Sequence, residues 1–468
     1  MLTGLQVRNF KCWQDTDEIR LAPLTLFFGE NSSGKSSISQ LLMMLKQTME
    51  VADRKAVCFP GNDRSAVQLG SFRDMVFQRN TENSIEFAYQ WTLPKAMSFR
   101  DSLHQKEYVA KLIKFSGSIG SGDHRIPKSQ VNRFEYDMFC QSGGEQVSVN
   151  IGMERSTGKR VEYKLFSDGY NLKREVGRVW NPSIPIRFYG FPDEIVAYYK
   201  NANFVQELNL RHELLFSSIS YLGPLRTKTE RFYQWVGDEP VTVGFSGENA
   251  IAALIAASHR KFNFAPKCRL QSFQQVIASK LKQMGLIEEF IVSKVNEYRQ
   301  EYEVKVRSRG SADFVDLPDV GFGISQVLPV LVQSFYAPAN SIIIMEQPEI
   351  HLHPSAQAEL ADVLISVIHS RENSTCRNIQ LIIETHSEHF LKRLQRRIAE
   401  GVIDESQVAA YFAQRETSSS NLKELDIDDY GNIRYWPKNF FGDEMTDAIA
   451  HAEAIAARKS SPKRGEED

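Results

Sequence analysis

The chain has 468 residues, of which 42% are hydrophobic, 11% aromatic and 24% charged, with a formal net charge of −2. This length is more than one core comfortably encloses, so two lobes are expected, and the composition is that of a well-packed globular protein rather than a disordered or fibrous one. The near-neutral balance excludes a global attraction for nucleic acid and leaves only local basic faces. Five cysteines (Cys12, Cys58, Cys140, Cys268 and Cys376) lie far apart with no CxxC pair. That argues against a zinc site or a disulfide framework and for a reducing compartment. The first residues, MLTGLQVRNFKCW, lack the apolar core of a signal peptide, and no run reaches membrane-spanning length, so a cytoplasmic protein without membrane contact is expected.

Residues 1–28 read as two strands, LTGLQVRNF and EIRLAPLTLFF, joined by a polar turn at Gln14–Asp17. The second run ends at Gly29-Glu30-Asn31-Ser32-Ser33-Gly34-Lys35-Ser36, which fits the P-loop pattern residue for residue and is followed by Ser37. Glycines let successive N–H groups curl inward, and the helix that starts near Lys35 adds its positive N-terminal end to the same anion site. Lys35 then reaches the β- and γ-phosphates of a nucleoside triphosphate, and the Ser36 hydroxyl is the natural Mg²⁺ ligand. Ile38, Leu41, Leu42 and Leu45 fall on one face of that helix. ATP and Mg²⁺ are therefore the expected ligands.

Strand-like alternation resumes at Ser84–Leu93, and from about Pro94 to about Ser218 the pattern loosens into an expected mixed α/β insertion. Order returns at Tyr221-Leu222-Gly223-Pro224-Leu225-Arg226. Helical periodicity is expected from about Gln271 to Tyr298, and a hairpin in YEVKVRSRGSADFVDL with Arg309-Gly310 at its turn. Buried strands at Ser341–Met345 and Ile379–Glu384 alternate with helices at Ser355–Ser370 and Glu388–Glu400, the pattern of a parallel sheet covered on both faces. A further strand is expected at Val408–Gln414, a strand pair around LDIDDYGNIRYW, then a short helix and a charged tail.

The strand at 341–345 runs into Glu346, as a Walker B element should, and Gln347-Pro348-Glu349 and His351-Leu352-His353-Pro354 follow. Glu384-Thr385-His386-Ser387 puts a histidine just past the end of another strand, the edge where open α/β sheets bind ligands. With the P-loop, these elements resemble the ATP-binding-cassette-type ATPases of the branch that includes the structural-maintenance and DNA-repair ATPases and the overcoming-lysogenisation-defect proteins. Within it the chain is similar to bacterial stand-alone ATPases with a short C-terminal domain of unknown function, and to ATPase subunits of anti-phage systems such as Septu.

The resemblance spans roughly residues 1–80 and 220–440. It implies an α/β head with a parallel-rich sheet flanked by helices, plus an inserted mixed subdomain. It makes Glu346 the Mg²⁺-site acid, Gln68 a Q-loop glutamine at the same ion, and His351–Pro354 a loop facing a second subunit. His386 becomes the switch histidine near the γ-phosphate. The stretch Val320–Gln326 occupies the place of the signature motif, which caps the nucleotide of an opposing subunit. It departs from Leu-Ser-Gly-Gly, keeping Gly323 with Ser325 nearby. Where the family holds a water-polarising glutamate, this chain holds Gln347, which orients water but cannot take its proton; a positioned base contributes about 10²–10⁴-fold. Slow hydrolysis is expected, with Glu349 or His386 as the alternative base.

The expected units are 1–93 (first half of the head), 94–300 (insertion and helical arm), 301–400 (second half of the head) and 401–468 (small C-terminal unit and tail). His351, His353 and Glu349 suit packing or an interface better than a metal site. Asp426, Asp428 and Asp429 suit a turn better than nuclease chemistry. Lys392, Arg393, Arg396 and Arg397 form a basic helical face, more naturally solvated than bound to DNA. The leading expectation is a homo-oligomeric, slowly hydrolysing ATPase that controls a separately encoded effector, such as a nuclease, in bacterial defence. The alternative is a self-contained ATP-gated DNA nuclease or repair ATPase.

Overall fold

The computed structural model describes residues 1–101, 105–122, 129–156, 162–176, 182–263, 270–296, 298–372, 374–437, 440 and 450–455. The charged tail expected at the C-terminus lies outside the described residues.

The chain begins with β1 (Leu2–Phe10), β2 (Trp13–Asp15), β3 (Ile19–Arg20) and β4 (Leu24–Gly29). The single strand expected over Glu18–Phe28 is thus two. Pro23 has no N–H to donate, and the chain changes sheets there: β3 pairs with β1, while β4 enters the parallel sheet. Helix α1 (Lys35–Glu50) follows, then the single turn α2 (Phe72–Met75).

Where the sequence pattern loosens, the chain forms an antiparallel meander of β5 (Ile85–Asp101), β6 (Lys106–Ser121), β7 (Ser129–Ser142), β8 (Glu145–Arg155) and β9 (Tyr163–Asp168). Its order is β2-β1-β5-β6-β7-β8-β9, so the meander is continuous with the N-terminal strands. The residue 93/94 boundary falls inside β5, because Pro94 sits in an irregularity between Thr92 and Met97 where no ladder N–H is required. One face of this sheet is aromatic, and α3 (Glu194–Tyr198) and α4 (Phe204–Ser217) follow it in the chain.

On the buried face of α4, His212 is completely buried. Its Nε2 and Nδ1 lie 2.7 Å and 2.8 Å from the hydroxyls of Tyr89 and Tyr136, and its ring stacks on Tyr189 at 4.3 Å. Burial holds its pKa well below the usual value. As pH falls, the unfolded chain takes up this proton first, so the stabilisation is complete above about 6.5 and is lost below it. The melting temperature of wild type is expected to fall between pH 6.5 and 5 more steeply than that of His212→Gln, which bonds the tyrosines without titrating. Equal slopes in a pH series of thermal melts would refute this.

The parallel sheet begins with β10 (Ile219–Leu222). An accessory region then supplies β11 (Tyr233–Gln234), α5 (Ala250–Ala256), β12 (Lys261–Phe262), β13 (Gln271–Ser272), α6 (Phe273–Gln283), β14 (Glu289–Lys294), β15 (Glu301–Arg307) and β16 (Val315–Asp316). The helix expected up to Tyr298 therefore ends at Gln283. Phe273, Val276, Ile277 and Leu281 keep helical spacing, Gly285 turns the chain at φ +72°, and Phe290 and Val292 then alternate along β14 against β15. The hairpin expected from residue 302 forms as β15 with β16.

The chain closes with α7 (Phe322–Tyr336), β17 (Ile342–Glu346), α8 (Pro354–Ile368), β18 (Arg371–Glu372), β19 (Thr375–Cys376), β20 (Gln380–Glu384), α9 (Glu388–Ala399), β21 (Val408–Arg415) and β22 (Ser420–Glu424). The central sheet runs β10-β17-β20-β4-β21-β22, parallel except for β22. Its strands are buried on both faces. Ile342, Ile344 and Ile382 join the core shared with α1 and the meander, whereas Ile343, Met345 and Ile383 join the one under α7, α8 and α9. This is an α/β architecture with helices on both sides of a parallel-rich sheet.

The pair expected around LDIDDYGNIRYW is a single bridge, Ile427 to Ile433, around a turn in which Asp428 Oδ1 accepts from the amides of Tyr430 and Asn432. The basic face of α9 is engaged within the chain: Arg393 and Arg397 pair with Asp362 of α8, and Arg396 with Glu400. Among the described residues, no helix is long and apolar enough to cross a membrane.

Candidate nucleotide site

β4 delivers the P-loop between its two parallel neighbours, β20 and β21. Gly34, at φ +96°, caps α1, and a Cβ there would lie 2.2 Å from Cys12 Sγ and 3.2 Å from the Trp13 ring. Only glycine allows the loop to lie so close to the β1–β2 turn. Trp13 Nε1 donates to Ser37 Oγ at 2.9 Å, and Ser37 donates to Gly34 O. The Ser37 hydroxyl, expected at the nucleotide, is thus committed to the frame of the loop. Sequence reasoning missed Trp13, since nothing in a lone tryptophan announces a buttress.

Lys35 is buried, with Nζ donating to Gly29 O at 3.0 Å and Glu30 O at 2.7 Å. Burial lowers its pKa, against the opposing charges of Glu384 and Glu30. Glu30, Asn31 and Ser32 are exposed, and Ser32 adopts φ +62°. Ser33 is buried with its N–H on Glu30 O, and its Oγ has no hydrogen-bond partner among the described residues. A cleft of about 430 Å³ is lined by the P-loop residues Asn31, Ser32 and Gly34–Ser37, by Lys11, Cys12 and Gln40, and by Gln347, Glu384 and His386.

The acids lie at the ends of adjacent strands, with Glu346 of β17 in register with Glu384 of β20. Because β20 separates β17 from β4, Glu384 is the acid beside the P-loop, and both it and Ser36 line the cleft. No role was assigned to Glu384 from sequence; strand order alone reveals it. Glu346 Oε1 accepts from Tyr221 Oη at 2.9 Å. Burial, then the charge of Glu384, pushes the Glu346 pKa up to about 7, against the Tyr221 bond and Arg226. Burial also raises Glu384, opposed by Ser36 and Lys35. A buried pair of carboxylates near a serine hydroxyl, with Glu384 Oε2 lacking a hydrogen-bond partner among the described residues, is a donor set that fits Mg²⁺.

Gln347 lines the cleft at φ +47°, its amide donating to Glu384 O at 2.8 Å. His386 is exposed at the cleft, its pKa lowered by partial desolvation and by the charge of Lys35. Glu349 faces away from the cleft: Oε1 accepts from Thr385 Oγ1 at 2.7 Å and from the His386 amide at 2.8 Å. That geometry suits a bracket rather than a base for water.

Gln68 does not reach the site. It is exposed, and its neighbour Val67 bonds Gln47 near the end of α1, about 18 Å of helix rise from Lys35. Gly323 and Ser325 also lie outside this cleft. Ser325 Oγ donates to Phe322 O at 2.8 Å, and a Cβ on Gly323 would meet His351 O at 3.1 Å, so this glycine lets α7 approach the loop after β17. The Phe322 ring, 69% exposed, lies 5.8 Å from that of His351. His353 Nδ1 caps α8 by accepting from the Ser355 amide.

A family described as AAA ATPase domain matches residues 1–164 and 266–391, more than half of the chain, and one described as a protein of unknown function (DUF3696) matches 403–449. No curated protein matches the chain. Among solved structures, an SMC head bound to the C-winged helix domain of ScpA is similar at 10% identity and a TM-score of 0.41, covering 92% of this chain and 98% of that one. The SMC head domain from Thermotoga maritima is similar at 11% identity and a TM-score of 0.38, covering 91% and 99%.

Proposed function

Since the chain belongs to the AAA ATPase domain family, we propose that it is an ATP-binding, slowly hydrolysing ABC-type switch. It homo-oligomerises on ATP and controls a separately encoded effector, such as a nuclease, in bacterial anti-phage defence. The observation that carries the nucleotide reading is one cleft holding Lys35, Ser36, Glu384, Gln347 and His386 around the N-terminus of α1. The P-loop amides and Lys35 bind the phosphates. Ser36, Glu384 and Glu346 would hold Mg²⁺, which neutralises charge on the transferring phosphoryl group. Gln347 orients water without accepting its proton, and His386, kept neutral at physiological pH, stands beside it. Oligomerisation and effector control rest on the family resemblance, with the exposed Phe322 and His351–Pro354 as the surface for a second copy.

Thermal melts and light scattering with and without ATP·Mg²⁺ test this reading. A ligand at a hundred times its Kd stabilises by about 2.7 kcal/mol, so a melting rise of a few degrees is expected, together with an increase in mass. No melting response would remove the nucleotide reading; a response without a mass change would remove the oligomer.

A further inference from the structure

A second cavity, of about 350 Å³, shares Lys11 and Cys12 with the nucleotide cleft, and none of Gln347, Glu384 and His386 lines it. It therefore opens from the cleft at the β1–β2 turn and not at the acids. Two segments complete its wall: Phe77, Gln78 and Arg79 after α2, and Arg415, Ser418 and Ser419 where β21 turns into β22. Both are fastened to the β1–β2 turn through the backbone. The Lys11 N–H donates to Met75 O at 2.6 Å, Phe10 bridges Val76, and the Ser420 N–H donates to Cys12 O at 3.0 Å. Gln78 and Arg79 take φ +53° and +57°, left-handed backbone in two successive residues that are not glycine. Such a cost persists only where surrounding contacts over-determine the conformation. β21 runs parallel to β4 with Ala413 opposite Gly29, so Arg415 lies at the carboxyl edge of the sheet beside the P-loop, where open α/β sheets bind ligands. Arg79 and Arg415 are exposed, and neither makes an ion pair or side-chain hydrogen bond with the described residues.

We propose that this cavity is the nucleoside subsite of the ATPase and that the C-terminal unit completes it. With the triphosphate on the P-loop, the ribose and purine lie between the Phe77–Arg79 segment and the β21–β22 turn. A guanidinium is planar, weakly hydrated and stacks on aromatic faces, so Arg79 and Arg415 suit the base. The Ser418 and Ser419 hydroxyls both donate and accept, as the ribose hydroxyls require. The proposal rests on the ATPase reading above and adds to it where the nucleoside is held. It also gives a task to the segment that matches a family of unknown function, since residues 403–449 contain β21, β22 and the turn between them. The nucleoside would thus bridge the start of the chain and its C-terminal unit.

The test uses the full chain as wild type, Arg79→Ala, Arg415→Ala and Lys35→Ala. Each is titrated by calorimetry with ATP·Mg²⁺ and with inorganic tripolyphosphate·Mg²⁺, which offers phosphates without a nucleoside. Wild type is expected to bind ATP about tenfold or more tighter than tripolyphosphate, because the base adds stacking contacts. Each arginine variant should lose about five- to tenfold for ATP, the size of a lost guanidinium–ring contact, with tripolyphosphate held within about twofold. Removing a positive charge that acts only at a distance would weaken tripolyphosphate at least as much, since it is the more highly charged ligand, so selectivity separates contact from field. Lys35→Ala should lose both ligands. The ratio of the two affinities, taken within each variant, decides even where a variant is less stable. Equal affinity of wild type for the two ligands, losses shared by both ligands, or a selective loss at only one of the arginines would overturn the subsite. A wild type that binds neither ligand ends the ATPase reading and this one together. Loss of both ligands in Lys35→Ala with unimpaired arginine variants ends only this one.

Discussion

Lys35→Ala is expected to weaken ATP binding by about 10²-fold or more. Each hydrogen bond from an ammonium to a charged oxygen contributes about 1.5–3 kcal/mol, and every 1.4 kcal/mol is a factor of ten in affinity. The structure explains why no neighbour substitutes. Lys35 Nζ rests on Gly29 O and Glu30 O inside the loop. Lys11, another lysine lining the cleft, is engaged with Gln40 Oε1 at 2.8 Å. Alanine suits the first turn of a helix, so the fold should survive the change. Titration with a fluorescent nucleotide reads the effect, and unchanged affinity would remove the P-loop assignment.

Gln347→Glu is expected to raise the rate of ATP hydrolysis by about 10²-fold, the lower end of what a positioned base contributes, because a base grafted without its supporting contacts is rarely ideally placed. Backbone strain does not oppose the change. Position 347 already takes φ +47°, held by its amide on Glu384 O, and glutamate meets the same backbone cost as glutamine. The new carboxylate would join a cleft that Lys35 and a bound Mg²⁺ render less negative, so it should remain ionised near neutral pH. Phosphate release at saturating ATP compares the two proteins. Brisk turnover in wild type with no gain in the variant would end the slow-switch reading, and a shortened lifetime of the ATP-bound assembly should accompany a real gain.

Some of this site was legible because its signals are contiguous. The P-loop pattern carries its glycines, lysine and serine within eight residues, so every group that would cradle a phosphate comes from that window. The buried strand running into Glu346 was legible for the same reason. Periodicity located α1, β17, α8, β20, α9 and β21 to within a residue or two. It failed at Glu289–Lys294, where a helical signal carried past Gly285 although the apolar spacing had changed from three–four to two. Gln68 failed because its assignment rested on proximity in the chain, whereas α1 carries the following segment away from the phosphate end.

What the sequence determined by itself was the local order of residues: a P-loop pattern at Gly29–Ser36, an acid-ended strand at Glu346, a glutamine directly after it, and a histidine just past the end of another strand. Local residue order suffices for these, since a loop and the helix after it are neighbours whatever the rest of the chain does. Which groups meet was decided only by tertiary structure. The strand order β17-β20-β4 makes Glu384 rather than Glu346 the carboxylate that lines the cleft with Ser36. It also turns Glu349 from a possible base into the bracket of His386. Trp13 and Cys12 come to lie behind Gly34 because β1 folds into a second sheet packed over α1. Each of these is a contact between side chains far apart in sequence, and it follows from how buried strands order themselves side by side, which no local pattern of residues encodes.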